Sequence, residues 1–127
     1  MFKPKNKYGN QKIEIQGVKF DSKLELYCYD LLKERNIKFD FQKTIILVDK
    51  FRFSGKGIRE LTIIVDFVVY IGDRVVYIDT KGFPTEVSKI KYKLLRNKLK
   101  DNANNEVVWL HNKKEVDEYI KYELVNV

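Results

Sequence analysis

The chain has 127 residues, a net charge of +7 and a pI near 9.4; 44% of its residues are hydrophobic and 13% aromatic. That length fits one domain, and that apolar share excludes a disordered chain. The excess of cations points to a polyanionic partner, of which nucleic acid is the usual one, or to a merely soluble basic protein. The single cysteine, Cys28, excludes an internal disulfide and suits a reducing compartment. With His111 the only histidine, a zinc site built from Cys and His is excluded as well. A metal would have to be held by oxygens, which selects hard ions such as magnesium or manganese. The longest apolar run, residues 61–71, is broken by Thr62 and Asp66 and is too short to span a membrane. The N-terminus has no apolar stretch of the kind a signal peptide needs, so a cytoplasmic protein is expected.

Residues 1–11 read as a loose basic arm with Lys3, Lys5 and Lys7. Residues 12–20 read as a hairpin turning at Gln16-Gly17. A helix is predicted over 22–35, with Ser22 as its cap, Glu25 three residues on, and Leu24, Cys28, Leu31 and Leu32 at helical spacing. Residues 37–53 read as strand and 54–57 as a flexible loop. Two β-rich strands, 63–71 and 74–80, are joined by Gly72-Asp73, where glycine in first place suits a two-residue type II′ turn. A second helix is predicted over 85–100, a strand over 106–111 and a last helix over 112–122 capped by Asn112. Cys28 and Trp109 are expected in the core and His111 at a strand end. The order β-β-α-β-β-β-α-β-α predicts one α/β domain over 12–122, a mixed central sheet flanked by helices, with 123–127 as a tail.

The Gly72-Asp73 hairpin carries the chemical signal. If those two residues form the turn, Ile71 faces Arg74, and counting outward sets Asp66 opposite Asp79. Opposed residues on one face have Cβ atoms roughly 5 Å apart. Lys81, two beyond Asp79, points to the same side. Two aspartates in an apolar strand pair repel unless something compensates, and a divalent cation held by both is the simplest candidate. The plainer alternative puts one aspartate at an exposed strand end and pairs the other with Lys81. Gly82 would allow a sharp turn or a close ligand approach just after.

The spacing from Asp66 to Asp79-Thr80-Lys81, with helix, three strands, helix and strand around it, resembles the core of the PD-(D/E)XK nucleases, a restriction-endonuclease-like fold. The run 20–25 looks like the first helix of that core, whose glutamate joins the active site. Residues 8–10, 18–22, Gln42-Lys43, Asp66-Phe67 and 79–82 are similar to small phage and prophage proteins described as endonucleases related to Holliday-junction resolvases. Val65 stands where the motif has proline, and Asp79 where glutamate is more frequent. The resemblance implies a Mg²⁺-dependent endodeoxyribonuclease, with Mn²⁺ able to substitute. Asp66, Asp79, the Thr80 backbone carbonyl and Glu25 would hold metal, and Glu25, Asp66, Asp79 and Lys81 would be catalytic. The products would carry 5′-phosphate and 3′-hydroxyl ends, and the setting would be a bacterial host cytoplasm if the chain is phage-encoded. The alternatives are a DNA-binding module that keeps the fold without cutting, and a phage structural or regulatory protein.

Glu25 has two readings that can coexist: partner of Ser22 in a capping box, or an acid at the site, since it lies at the edge of the helix's apolar arc. Gln42 is a weaker candidate beside the site. On the second helix Lys89, Lys93, Arg96 and Lys100 share one arc, with Val87, Ile90 and Leu94 opposite, while Lys91 and Lys98 fall in the apolar arc. The arc is either a solvated face or, with Lys91, a phosphate-tracking stripe for DNA. No base-reading motif is visible, so cutting directed by DNA structure is expected rather than sequence-specific cutting. A domain this small that cuts two strands would need two sites, so a homodimer is expected.

Overall fold

In the computed structural model, which describes residues 12–81 and 83–124, turn chemistry fixes the strand pairs. Gln16 and Gly17 adopt φ of 51° and 80°, and Ser54 and Gly55 adopt 49° and 77°. Positive φ at both central residues marks the type I′ turn, whose twist matches that of the strands it joins. The first closes β1 (Ile13–Ile15) on β2 (Val18–Phe20) and the second β4 (Phe51–Phe53) on β5 (Lys56–Ile58). At Gly72-Asp73 only the glycine has positive φ, 56°, as a type II′ turn requires. There β6 (Leu61–Ile71) folds back on β7 (Arg74–Asp79) with Ile71 opposite Arg74. Residues 54–57, expected as a flexible loop, are thus a tight turn and the start of a strand. Ser54 accepts the left-handed backbone that its sequence does not announce. The expected strand 37–53 is split in two, β3 (Lys38–Val48) and β4.

The main sheet runs β3-β6-β7-β8, with β8 (Asn105–Trp109) parallel to β7 and the other pairs antiparallel. A parallel neighbour needs a crossover, and α2 (Glu86–Leu99) supplies it. Each helix starts on a side-chain cap. Ser22 Oγ accepts from Glu25 N at 3.1 Å before α1 (Lys23–Glu34), and Thr85 and Ser88 cap α2 reciprocally. Asn112 Oδ1 accepts from Glu115 N at 2.9 Å before α3 (Lys113–Glu118), which runs on into a π-helical turn, Tyr119–Glu123. The protein is therefore a single α/β domain built on a mixed sheet with flanking helices, and no helix among the described residues is long and apolar enough to cross a membrane.

The two faces have separate cores. Cys28, Leu31 and Leu32 of α1, with Val116 and Ile120 beyond, cover Phe67, Val69, Val76 and Ile78. Tyr92 and Leu95 of α2 cover Ile63, Val65 and Val68 on the other face. Each fully buried apolar side chain of this size stabilises by about 1.5–3 kcal/mol. Phe20, Tyr29, Phe39, Phe41 and Phe67 meet edge-on or tilted at 5.0–5.7 Å and bind β2 and α1 to the sheet.

These cores expose an irregularity. Strand side chains alternate with period two, so Val65 should share a face with Phe67. Instead Val65 packs toward α2 and Phe67 toward α1, so the alternation slips at Asp66. β3 slips at the same level, since Phe39 and Phe41 pack toward α1 but Ile45 and Leu47 toward α2. Between them stands Gln42, with φ of 53°, a left-handed conformation uncommon outside glycine. The pairs Phe41–Phe67 and Lys43–Val65 set Gln42 across from Asp66.

Candidate active site

The β6–β7 ladder ends at Phe67–Ile78, and one step further sets Asp66 against Asp79. Both carboxylates are buried, at 4% and 1% exposure. Asp66 Oδ2 accepts from Thr80 N at 2.9 Å and from Thr80 Oγ1 at 3.0 Å. Asp79 Oδ2 accepts from the Tyr92 hydroxyl at 2.5 Å. Asp79 Oδ1 is buried with no hydrogen-bond partner among the described residues. Burial first, and then the neighbouring charge of Asp79, hold Asp66 well above the ordinary aspartate range. Burial, reinforced by Asp79, also pushes the Tyr92 hydroxyl up, so Tyr92 keeps its proton and remains a donor.

Glu25, in the first turn of α1, is 2% exposed. Its Oε1 accepts from Gln42 Nε2 at 2.9 Å and from the Asp21 N–H at 3.4 Å, so it reaches back past Ser22. Burial raises its pKa, the Gln42 hydrogen bond opposes that, and Glu25's charge in turn raises Asp66. Gln42 Nε2 also donates to Lys19 O at 3.2 Å. The slip at Gln42 and Asp66 explains the convergence. Asp66 meets Glu25 from the α1 side, while Asp79 meets Tyr92 from the α2 side.

Lys81 is exposed and makes no ion pair among the described residues. It lines a cleft of about 310 Å³ with Asp79, Thr62, Thr85, Lys91 and Tyr92. The backbone oxygen of Lys81 accepts from Trp109 Nε1 at 2.5 Å, and the Trp109 ring packs on Tyr92 at 5.0 Å. Tyr92 and Trp109 thus brace the two ends of Asp79-Thr80-Lys81. Neither was legible as a site residue, and Trp109, expected in the core, is half-buried at this brace. Gly82 and the arm 1–11 lie outside the described residues. Cys28 is buried as expected, and its thiol is pushed up by burial and then by Asp66 and Glu25. His111 is exposed and pairs with Glu115 at 3.1 Å.

The arc of α2 differs from the expected one. Val87 and Ile90 are 62% and 59% exposed, and the buried positions are Tyr92 and Leu95. Ser88, Tyr92, Leu95 and Leu99 follow the spacing i, i+4, i+7, i+11, the signal that would have found this face. Lys89, Lys93, Arg96 and Lys100 are exposed, and Lys91 is half-buried at the cleft. Lys98 is exposed and donates to Ile46 O at 2.6 Å. Lys89 meets Glu86 at 3.4 Å in an exposed pair of little worth. If this stripe tracks phosphates, Lys89→Glu with Lys93→Glu should lower the slope of log K against log[salt] by about 1.8, because each neutralised phosphate contributes about 0.9. The melting temperature should barely move. An unchanged slope in a DNA-binding titration would leave the stripe a solvated helix face.

Among the described residues, no three His, Cys, Asp or Glu side chains are placed to hold a metal ion by themselves. The donor set is smaller, two opposed carboxylates of which one has a buried oxygen without a partner among the described residues, while Glu25 is tied to Gln42.

Fold and site together define an α/β protein with a buried aspartate pair, one member of which, Asp79, lines a cleft with Lys81 and Lys91. The chain belongs to the family described as protein of unknown function (DUF1064), whose model matches residues 5–118. No curated protein and no solved structure matches it.

Proposed function

We propose that the protein is a metal-dependent endonuclease that hydrolyses phosphodiester bonds of DNA, directed by DNA structure rather than sequence. The observation that carries this reading is Asp79 Oδ1, a buried carboxylate oxygen without a partner among the described residues, facing a second buried aspartate. A buried acceptor left unmet is costly, and two like charges at this spacing call for a cation. Mg²⁺ fits that donor set, because it uses one or two carboxylates and keeps its remaining positions for water and phosphate oxygens. Asp66 and Asp79 would hold it with the Thr80 carbonyl, and Mn²⁺ can take its place. A bound ion would polarise the phosphate and acidify a water.

The chain's own groups do the rest. Thr80 fixes one oxygen of Asp66, and Tyr92 fixes one oxygen of Asp79. Lys81 lines the cleft, where its ammonium would orient the attacking water and offset charge growing on the phosphoryl oxygens. The water oxygen bonds to phosphorus as the bond to the 3′ oxygen breaks. The attacking water gives up its proton to solvent, the 3′ oxygen takes one from solvent and leaves as a hydroxyl, and the phosphate stays on the 5′ end. Glu25, held by Gln42, would hold a second ion or a bridging water. Lys89, Lys93, Arg96 and Lys100 lead the backbone toward the cleft, with Lys91 at its wall. The working form in this proposal is a cytoplasmic homodimer, one site per strand.

Incubation of plasmid and branched DNA with Mg²⁺, Mn²⁺ or EDTA tests the proposal. Cleavage with either ion, none in EDTA, and products that ligase rejoins without further treatment are expected. DNA binding without cleavage under any of these conditions would make the chain a binding module instead.

A further inference from the structure

The hairpin β4–β5 has no place in the site just described. Every residue from 49 to 61 is exposed, including Phe51 at 48%, Phe53 at 69% and Ile58 at 38%. Phe51 pairs with Ile58 and Phe53 with Lys56, so both aromatic rings and Ile58 share one face of the ribbon. A type I′ turn closes the arm, and Arg52 on the opposite face donates to Gly55 O at 2.6 Å. A preformed arm loses little freedom when it binds. It carries four cations, Lys50, Arg52, Lys56 and Arg59, against the acids Asp49 and Glu60. It joins the end of β3 to the start of β6, and the ten residues from Lys56 to Asp66 span at most roughly 33 Å at about 3.3 Å each.

We infer that this arm binds nucleic acid through unpaired or unstacked bases, which stack on Phe51 and Phe53 while its cations meet the flanking phosphates. Aromatic faces interleaved with cations are the chemistry of single-strand recognition. Intact duplex hides its base faces, whereas gaps, ends and branch points expose them. A second copy of the chain is the poorer occupant, because two arms of equal positive charge repel. The inference rests on the proposed function and deepens it by naming the DNA feature that directs cutting.

The test is equilibrium binding of the full chain in EDTA, where no metal-dependent cutting occurs, so the result stands whether or not the protein is a nuclease. Gapped or four-way branched DNA should bind more tightly than intact duplex of equal length. Phe51→Leu with Phe53→Leu keeps most of the apolar area and removes the ring faces. It should weaken gapped and branched binding by about tenfold to a hundredfold, as expected when base stacking is removed, and leave duplex binding within about twofold. Phe51→Trp with Phe53→Trp should restore the preference. Equal affinity for all DNAs, an unaffected Leu variant, or a Leu variant whose only change is loss of self-association in sedimentation would each overturn the inference.

Discussion

Asp79→Asn should abolish cleavage and at the same time raise the melting temperature of the metal-free protein. The wild-type carboxylate buries one oxygen with no partner among the described residues and faces Asp66 across the strand pair. An asparagine keeps an oxygen for the Tyr92 hydroxyl and turns its amide toward Asp66, so an unmet acceptor becomes a donor beside a carboxylate. Relieving one buried unmet group is worth about 1–2 kcal/mol, which at this chain length is about 3–10 °C. Loss of a metal ligand removes several kcal/mol of transition-state stabilisation, a fall of about a thousandfold or more at about 1.36 kcal/mol per tenfold. Melts in EDTA and in Mg²⁺, run beside single-turnover cleavage, measure both effects. A variant that cuts as well as wild type, or melts lower in EDTA, contradicts the role given to Asp79.

Lys81→Arg should lower single-turnover cleavage by about 10²–10³, the usual cost of one misplaced transition-state donor, with DNA binding nearly unchanged. Lys81 is exposed at the cleft and pairs with no acid among the described residues, so charge balance alone does not account for its position. Its backbone oxygen is held by Trp109, which fixes where the side chain starts. The arginine keeps the charge but carries it on a broader, planar, differently hydrated group. Lys81→Ala should fall at least as far. Near-wild-type cleavage by the arginine variant would keep the aspartates and remove Lys81 from the catalytic set.

The parts of the site legible in the sequence are those governed by local rules. Gly72 at the first turn position set the β6–β7 register, and the register set Asp66 against Asp79. Ser22 announced α1 and so placed Glu25 in its first turn. The rest depends on tertiary packing. Gln42 adopts a left-handed backbone that no glycine foretells, and the slip it shares with Asp66 decides which face each neighbour meets. Val87 and Ile90 read as core because they are apolar, yet the helix turns Tyr92 and Leu95 inward. A phenol that bonds an aspartate from a helix packed on the sheet leaves no mark in composition or spacing. The arm at residues 51–58 was half visible: its glycines promised a loop, while Ser54 in fact completes a tight turn.

At the centre of the proposed mechanism, Asp66 and Asp79 together hold a divalent cation. Titration of the full chain with Mn²⁺, reading free ion by electron paramagnetic resonance, tests this without reference to any activity. The expected result is saturable binding that Mg²⁺ competes away and that Asp66→Asn weakens at least tenfold, the low end of what disturbing a metal site costs. No saturable binding in the wild type, or the same binding in Asp66→Asn, would contradict it.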